Sequence, residues 1–210
     1  MIKAGGVQKN IILAGFILAI TALIGTGLMS LVNAHSKPFI IENEKQTLLR
    51  SLNSVVSLKD YDNDILNDVI KLKDYKYLGK KEKTTIYRAR KNNKPSAAVL
   101  TVATPNGYSG EINLLVGISY NGTITGVRIT RHRETPGLGD AIDIKRSNWI
   151  ESFTGKSLNN PLESNWKVKR DGGHFDQFTG ATITPRAVVG AVHNALVFFK
   201  KNRDLIFEAP

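Results

Sequence analysis

Apolar residues run from Ile11 to Val32, 22 positions without a charge, and no second run of that length follows. At about 1.5 Å rise per residue, a helix over this stretch crosses the roughly 30 Å hydrocarbon core of a bilayer. Beyond Pro38 the periods are shorter. Leu48, Leu49, Leu52, Val55 and Val56 share one face of a helix over Ile41–Ser57, which reads as a stalk rising from the membrane. Ile65, Leu66, Val69 and Ile70 give a second short helix over Asp62–Leu72, and the Lys-rich stretch Lys71–Lys83, punctuated by Gly79, reads as a connection. β-Branched and apolar residues predict strands over Thr84–Arg88 and Ala97–Ala103, with a turn at Pro105-Asn106-Gly107. The clearest hairpin is Ile112–Tyr120, Asn121-Gly122 and Thr123–Thr130, since Asn-Gly accepts the positive φ angles of a type I′ turn. Asn148–Phe153 reads as a short helix or turn around Trp149. Over Pro185–Lys200, Val188, Val189, Val192, Ala195, Leu196 and Phe199 form an apolar stripe, with Thr184 as N-cap and Pro185 in the first helical position. Antiparallel strands flanked by helices make an α+β fold. The expected divisions are a tail over 1–10, a transmembrane helix over 11–32, a helical stalk and connection over 33–83, the α+β domain over 84–204 and a tail over 205–210.

Charge gives the span a direction. Lys3 and Lys9 are the only charged residues before it, and basic flanks tend to stay inside. The expectation is a single-pass inner-membrane protein with a cytoplasmic N-terminus and a periplasmic C-terminal domain. Val32-Asn33-Ala34 resembles a signal-cleavage site, but a signal h-region runs only about 7–15 residues, which favours a retained anchor. Lys and Arg number 29 against 18 acids, a net charge of +11. Together with this topology and the lack of a nucleic-acid motif, the surplus points to anionic lipid or an acidic partner surface rather than nucleic acid. Within the span, Thr21, Gly25, Thr26 and Gly27 are candidates for packing against partner helices.

Several chemistries are excluded. The chain has no cysteine, so thiol catalysis, disulfides and thiolate ligation of iron are ruled out. His35, His132, His174 and His193 never fall at metal-ligand spacing, and no metal site is expected. Gly107-Tyr108-Ser109-Gly110 lacks the G-x-S-x-G pattern of a nucleophile elbow. Two stretches hold more glycine and hydroxyl than a plain connection needs. His132–Asp140 (HRETPGLGD) follows the hairpin and contains a Pro-Gly turn whose glycines permit close backbone approach. Asp176–Thr182 (DQFTGAT) runs into the last helix, where free backbone N–H groups and the helix dipole suit a phosphate. Local physics leaves open whether either is more than a loop.

Asp176–Thr182 resembles the D-x-x-(S/T)-G-A-T motif on which a flavin transferase places FMN, with the final threonine as acceptor. His132–Asp140 resembles the H-x-E-T-P-G-L-G segment of the same proteins, and Gly107–Ile112 with Leu114–Ile118 resembles a third block upstream. With the single N-terminal span, these blocks resemble the flavoprotein-subunit family of Rnf-type ion-translocating electron transport complexes. The C subunit of the sodium-translocating NADH:quinone reductase, related but typically longer, is the runner-up. A cofactor-free anchored binding module is the alternative from a different class.

The resemblance implies that FMN is carried as a phosphoester on Thr182, with FAD as donor and a separate transferase as catalyst. Asp176, Thr179, Gly180 and Ala181 would form the recognition segment. Glu134, Thr135, Gly137, Leu138 and Gly139 would line the flavin ring. It further implies an electron-relay subunit, partnered by the other subunits of the complex and by membrane lipid, with no substrate pocket of its own.

Overall fold

The computed structural model describes residues 4–208. It divides into two compact units, one ending at Leu48 and one beginning at Leu49. Met1–Lys3 of the expected tail, and residues 209–210, lie outside the described residues.

Helix α1 runs from Ala4 to Asn53. It carries the candidate membrane span; its apolar stretch has a mean hydropathy of 2.4, with none of that stretch buried within the protein. Two of its hydroxyls are satisfied within the helix, as a span in hydrocarbon would need: Thr21 Oγ1 donates to the Leu18 carbonyl (2.9 Å) and Thr26 Oγ1 to that of Ala22 (2.8 Å). Gly25 and Gly27 leave open notches on its surface. The helix expected to begin beyond Pro38 is the continuation of α1, with Pro38 inside it. Proline removes only one ladder donor, and the helix continues on both sides of that gap.

The second unit is built on a five-stranded antiparallel meander in the order β1-β2-β3-β4-β5. The strands are β1 (Val69–Leu72), β2 (Thr84–Lys91), β3 (Lys94–Thr104), β4 (Ile112–Ser119) and β5 (Ile124–Arg131). A one-turn helix, α2 (Tyr75–Leu78), and a long C-terminal helix, α3 (Ile183–Phe207), complete the regular elements. Between β5 and α3 the chain makes a series of short 3₁₀ turns, one of which covers the predicted Asn148–Phe153.

Both sheet faces are buried. The paired row Ile86–Leu100–Val116–Val127 belongs to the main core with Val188, Val192, Leu196 and Phe199 of α3. The neighbouring row Val99–Gly117–Gly126 faces the segment just beyond α1. There Thr125 Oγ1 donates to the Val55 carbonyl (2.5 Å), and a Cβ on Gly117 would lie 2.5 Å from that same oxygen. Glycine in two adjacent strands thus lets the backbone at Val55 lie directly on the sheet.

Four local expectations are corrected. Asp62–Leu72 is not a helix: Tyr61–Asp68 is a loop and Val69–Leu72 is β1. Its Asp and Asn side chains take backbone donors instead, Asp64 from Leu66 N (3.1 Å), Asn63 from Arg90 N (2.7 Å) and Asp62 from Asn92 N (2.8 Å). The type I′ signature belongs to Asn92-Asn93, with φ of +50° and +60°, between β2 and β3. At Asn121-Gly122 only Gly122 has positive φ (+89°), and Gly122 N bonds to Ser119 O (2.8 Å), a three-residue hairpin loop ending in a glycine bulge. Finally, α3 starts at Ile183 and runs to Phe207. Thr184 and Pro185 therefore lie inside its first turn, where a missing N–H leaves no bond unmade, and the expected tail from 205 begins as the last helical turn.

Candidate functional site

Three loops meet at one end of the sheet: the β3–β4 connection, the segment after β5 and the approach to α3. Asn113 pairs with Arg131 and Thr104 with Ile112, so the first two leave the sheet side by side. The third is shaped by a turn in which Ala181 N bonds to Phe178 O (3.2 Å) with Gly180 at φ +81°, the geometry of a type II turn. A Cβ on Gly180 would already press Leu138 Cδ2 at 3.1 Å, so glycine serves both the turn and the contact. Trp149 holds the upstream part of this segment, its Nε1 donating to the Asp176 carbonyl (2.8 Å) and its ring meeting Phe178 edge-on.

Glu134 ties the three loops together. It is buried, and its carboxylate accepts from Tyr108 N (3.3 Å), Ser109 N (3.0 Å) and the Thr184 hydroxyl. Its own N–H donates to His132 Nδ1 (3.1 Å). The two upstream motif blocks and the first turn of α3 therefore converge on a single buried carboxylate. On the flank, Asp171 receives Arg186 bidentately through two bonds of 2.6 Å. That pairing holds the Asp171 carboxyl below its ordinary range and raises Arg186.

The loops enclose a cleft of about 410 Å³ lined by Tyr108, Glu134, Thr135, Leu138, Gly139, Gly180, Ala181, Thr182, Ile183 and Thr184. Of the expected site residues, Glu134, Thr135, Leu138, Gly139, Gly180, Ala181 and Thr182 are thus brought together. Gly137 lies instead on a neighbouring hollow with Asp140 and Arg146. Asp176 and Thr179 are exposed outside the cleft, Asp176 paired with Lys169 (2.5 Å). Tyr108, Ile183 and Thr184 join the lining although the motifs gave them no role. Tyr108 and Ile183 are exposed, as is Leu138, which gives the cleft an apolar rim.

The arrangement suits a ligand with a phosphate at one end and a flat apolar body. Thr182 stands at the N-cap of α3, yet its side chain makes no capping bond. It sits at the helix end whose first amides lack intrahelical acceptors. The volume is in the usual range for cofactor sites, roughly 300–1,000 Å³. No cluster of three or more metal-ligating side chains occurs among the described residues.

An apolar-rimmed cleft at a helix start, carried on an α+β domain behind a candidate membrane span, is the setting of a cofactor-binding domain, and residues 107–197 match the FMN-binding domain family. Residues 1–55 match the RnfG N-terminal region. The chain is 46% identical to the G subunit of the ion-translocating oxidoreductase complex of Pseudoalteromonas atlantica, over 93% of this chain and 91% of the relative. It is 45% identical to the corresponding subunit of Shewanella baltica (93% and 92% covered) and 43% to that of Vibrio cholerae (97% and 95%). The chain belongs to this family of G subunits.

Proposed function

We propose that the protein is a membrane-anchored flavoprotein subunit that relays electrons through FMN held as a phosphoester on Thr182, within an Rnf-type ion-translocating complex. Family membership and the FMN-binding domain support the flavoprotein and complex roles. The observation that carries the attachment is the uncapped Thr182 hydroxyl on the cleft shared by all three motif blocks. FMN, when bound, supplies one- and two-electron exchange.

The protein's own residues anchor and orient. Thr182 Oγ1 would lose its proton and form an ester bond to the FMN phosphorus as the pyrophosphate bond of FAD breaks and AMP leaves. No base lies within hydrogen-bond reach of Thr182 among the described residues, so a separate transferase supplies the activation. Asp176 and Thr179, exposed beside the cleft, are placed for that enzyme to read, with Gly180 and Ala181 leaving room for the phosphate. The start of α3 presents positive dipole to the ester's remaining charge. Leu138, Tyr108 and Ile183 offer apolar surface to the ring, and Glu134, Thr135 and Gly139 form the floor and wall. Gly137 shapes the turn that carries Leu138.

The domain is periplasmic in this reading, with residues 1–10 cytoplasmic, 11–32 spanning, 33–83 leading to the domain and 84–204 carrying the flavin. A tether there keeps the local cofactor concentration high where a dissociated flavin would diffuse away. The basic surface faces lipid headgroups or partner subunits.

In-gel ultraviolet fluorescence of the denatured protein, co-expressed with an active transferase in an exporting host, tests the proposal. A fluorescent band that vanishes in Thr182→Ala is expected. A dark wild-type band beside a labelled control substrate would overturn it.

A further inference from the structure

The attachment segment offers three hydroxyls, Thr179, Thr182 and Thr184, and they are not equivalent. Thr179 is exposed and lies outside the cleft. Thr182 and Thr184 both line it, but Thr184 is 1% exposed and its Oγ1 donates to Glu134. Thr182 makes no such bond. Glu134 is 4% exposed and has no cationic partner within ion-pair distance among the described residues, so its charge is held by three donors alone. The space around it is made by glycine. A Cβ on Gly107 would sit 2.9 Å from Oε1, and one on Gly139 3.0 Å from Oε2 and 2.9 Å from Thr184 Oγ1. A buried carboxylate so enclosed has no alternative partners, and losing one donor leaves it undercompensated.

We propose that Glu134 is a positioning residue that selects the attachment hydroxyl. By taking Thr184 Oγ1 and pinning Tyr108 and Ser109 across the cleft, it fixes the first turn of α3 so that Thr182 alone presents a free hydroxyl there. This inference rests on the attachment reading above and adds to it a reason for the choice among three threonines. Glu134 acts through Thr184 and the loop; it neither accepts the flavin nor takes the proton.

The test is the initial rate of FMN transfer to Thr182, with purified full-length protein in detergent, FAD and a flavin transferase, at a temperature well below unfolding. Glu134→Gln replaces one acceptor by a donor, and Thr184→Val removes the hydroxyl at similar shape. Each is expected to slow transfer about ten-fold, the worth of one hydrogen bond to a charged group. Thr184→Ser restores the hydroxyl and the wild-type rate. The double variant falls no further than the slower single, because both changes break one contact. Arg88→Ala, which weakens the far end of α3, keeps the wild-type rate and so separates positioning from stability. Wild-type rates in both Glu134→Gln and Thr184→Val would overturn the inference, as would an equal loss in Arg88→Ala. Absence of flavin from Thr182 in the wild type would overturn the attachment reading and the inference together, whereas slowed or unslowed variants of a labelled wild type judge the inference alone.

Discussion

The two ends of α3 are finished in opposite ways. At the C-terminal end the carbonyls are taken by buried Arg88 and half-buried Arg90: Arg88 Nη1 donates to Glu208 O (3.0 Å) and Ile206 O (3.5 Å), and Arg90 Nη2 to Phe207 O (3.5 Å). Asp68 on the loop before β1 holds both guanidinium groups, at 2.5 and 2.9 Å. At the N-terminal end the capping residue, Thr182, makes no side-chain cap, and the first turn opens on a cleft. One end is closed by charge and hydrogen bonds, as stability favours. The other is left open on the cleft, with the free amides and positive dipole that suit an anion. The difference leaves one helix braced at its C-terminal end and open at the end where we propose attachment.

Substitutions at the two ends should separate these roles. Thr182→Ala is expected to abolish flavin attachment while leaving unfolding free energy within about 0.5 kcal/mol of wild type, since no cap bond is lost. Denaturant unfolding alongside flavin fluorescence checks both. Asp68→Ala is expected to do the reverse. It leaves two largely buried guanidinium groups without their carboxylate and lowers stability by about 3 kcal/mol, with attachment retained under native conditions. Gly139→Ala is intermediate: its Cβ would crowd Thr184 Oγ1 and the Glu134 carboxylate, costing about 1–3 kcal/mol and slowing attachment. Gly137→Ala meets open space at φ +77°, so it should cost only about 1 kcal/mol and leave attachment unchanged.

The smallest effect concerns pH. His193, on α3, has its Nε2 buried without a hydrogen-bond partner, and burial lowers its pKa, opposed by Glu163 at 3.8 Å. The unfolded chain therefore binds a proton that the folded chain resists. Stability is full above the unfolded histidine pKa of about 6.5 and falls as pH drops through the lower folded value. His193→Phe should flatten that acid limb, read as the unfolding midpoint between pH 7 and 5, without changing flavin attachment. An unchanged slope would show that His193 contributes nothing to it.

The α+β class and the location of the cleft were both legible in the sequence, while the local turns and helix ends that frame the cleft were not. The resemblance of the motif blocks, rather than local physics, pointed to Glu134, Leu138, Gly139 and Gly180–Thr182, which the fold brings to one cleft. Thr184 has the sequence signature of a cap without being one, for a physical reason. A threonine before Pro-x-x-x apolar periodicity fits an N-cap, and only the fold brings Glu134, 50 positions away, to claim its hydroxyl. Ile183 carries no local signal either, and Tyr108, though inside the upstream block, is given no role by it; their place on the rim depends on how three loops converge. Asp62–Leu72 failed because its apolar spacing suits a helix while its Asp and Asn side chains bind backbone donors 27 to 30 residues on, a long-range choice that periodicity does not register. The meander and α3 were visible in outline, with edges set by pairing.

The most direct test of the central claim is fragment-ion mass mapping of the peptide spanning Thr179, Thr182 and Thr184 from flavin-loaded wild-type protein. The account predicts one FMN phosphoester, on Thr182, with Thr179 and Thr184 unmodified. Flavin located on Thr179 or Thr184, or a peptide of unmodified mass from yellow protein, would contradict it.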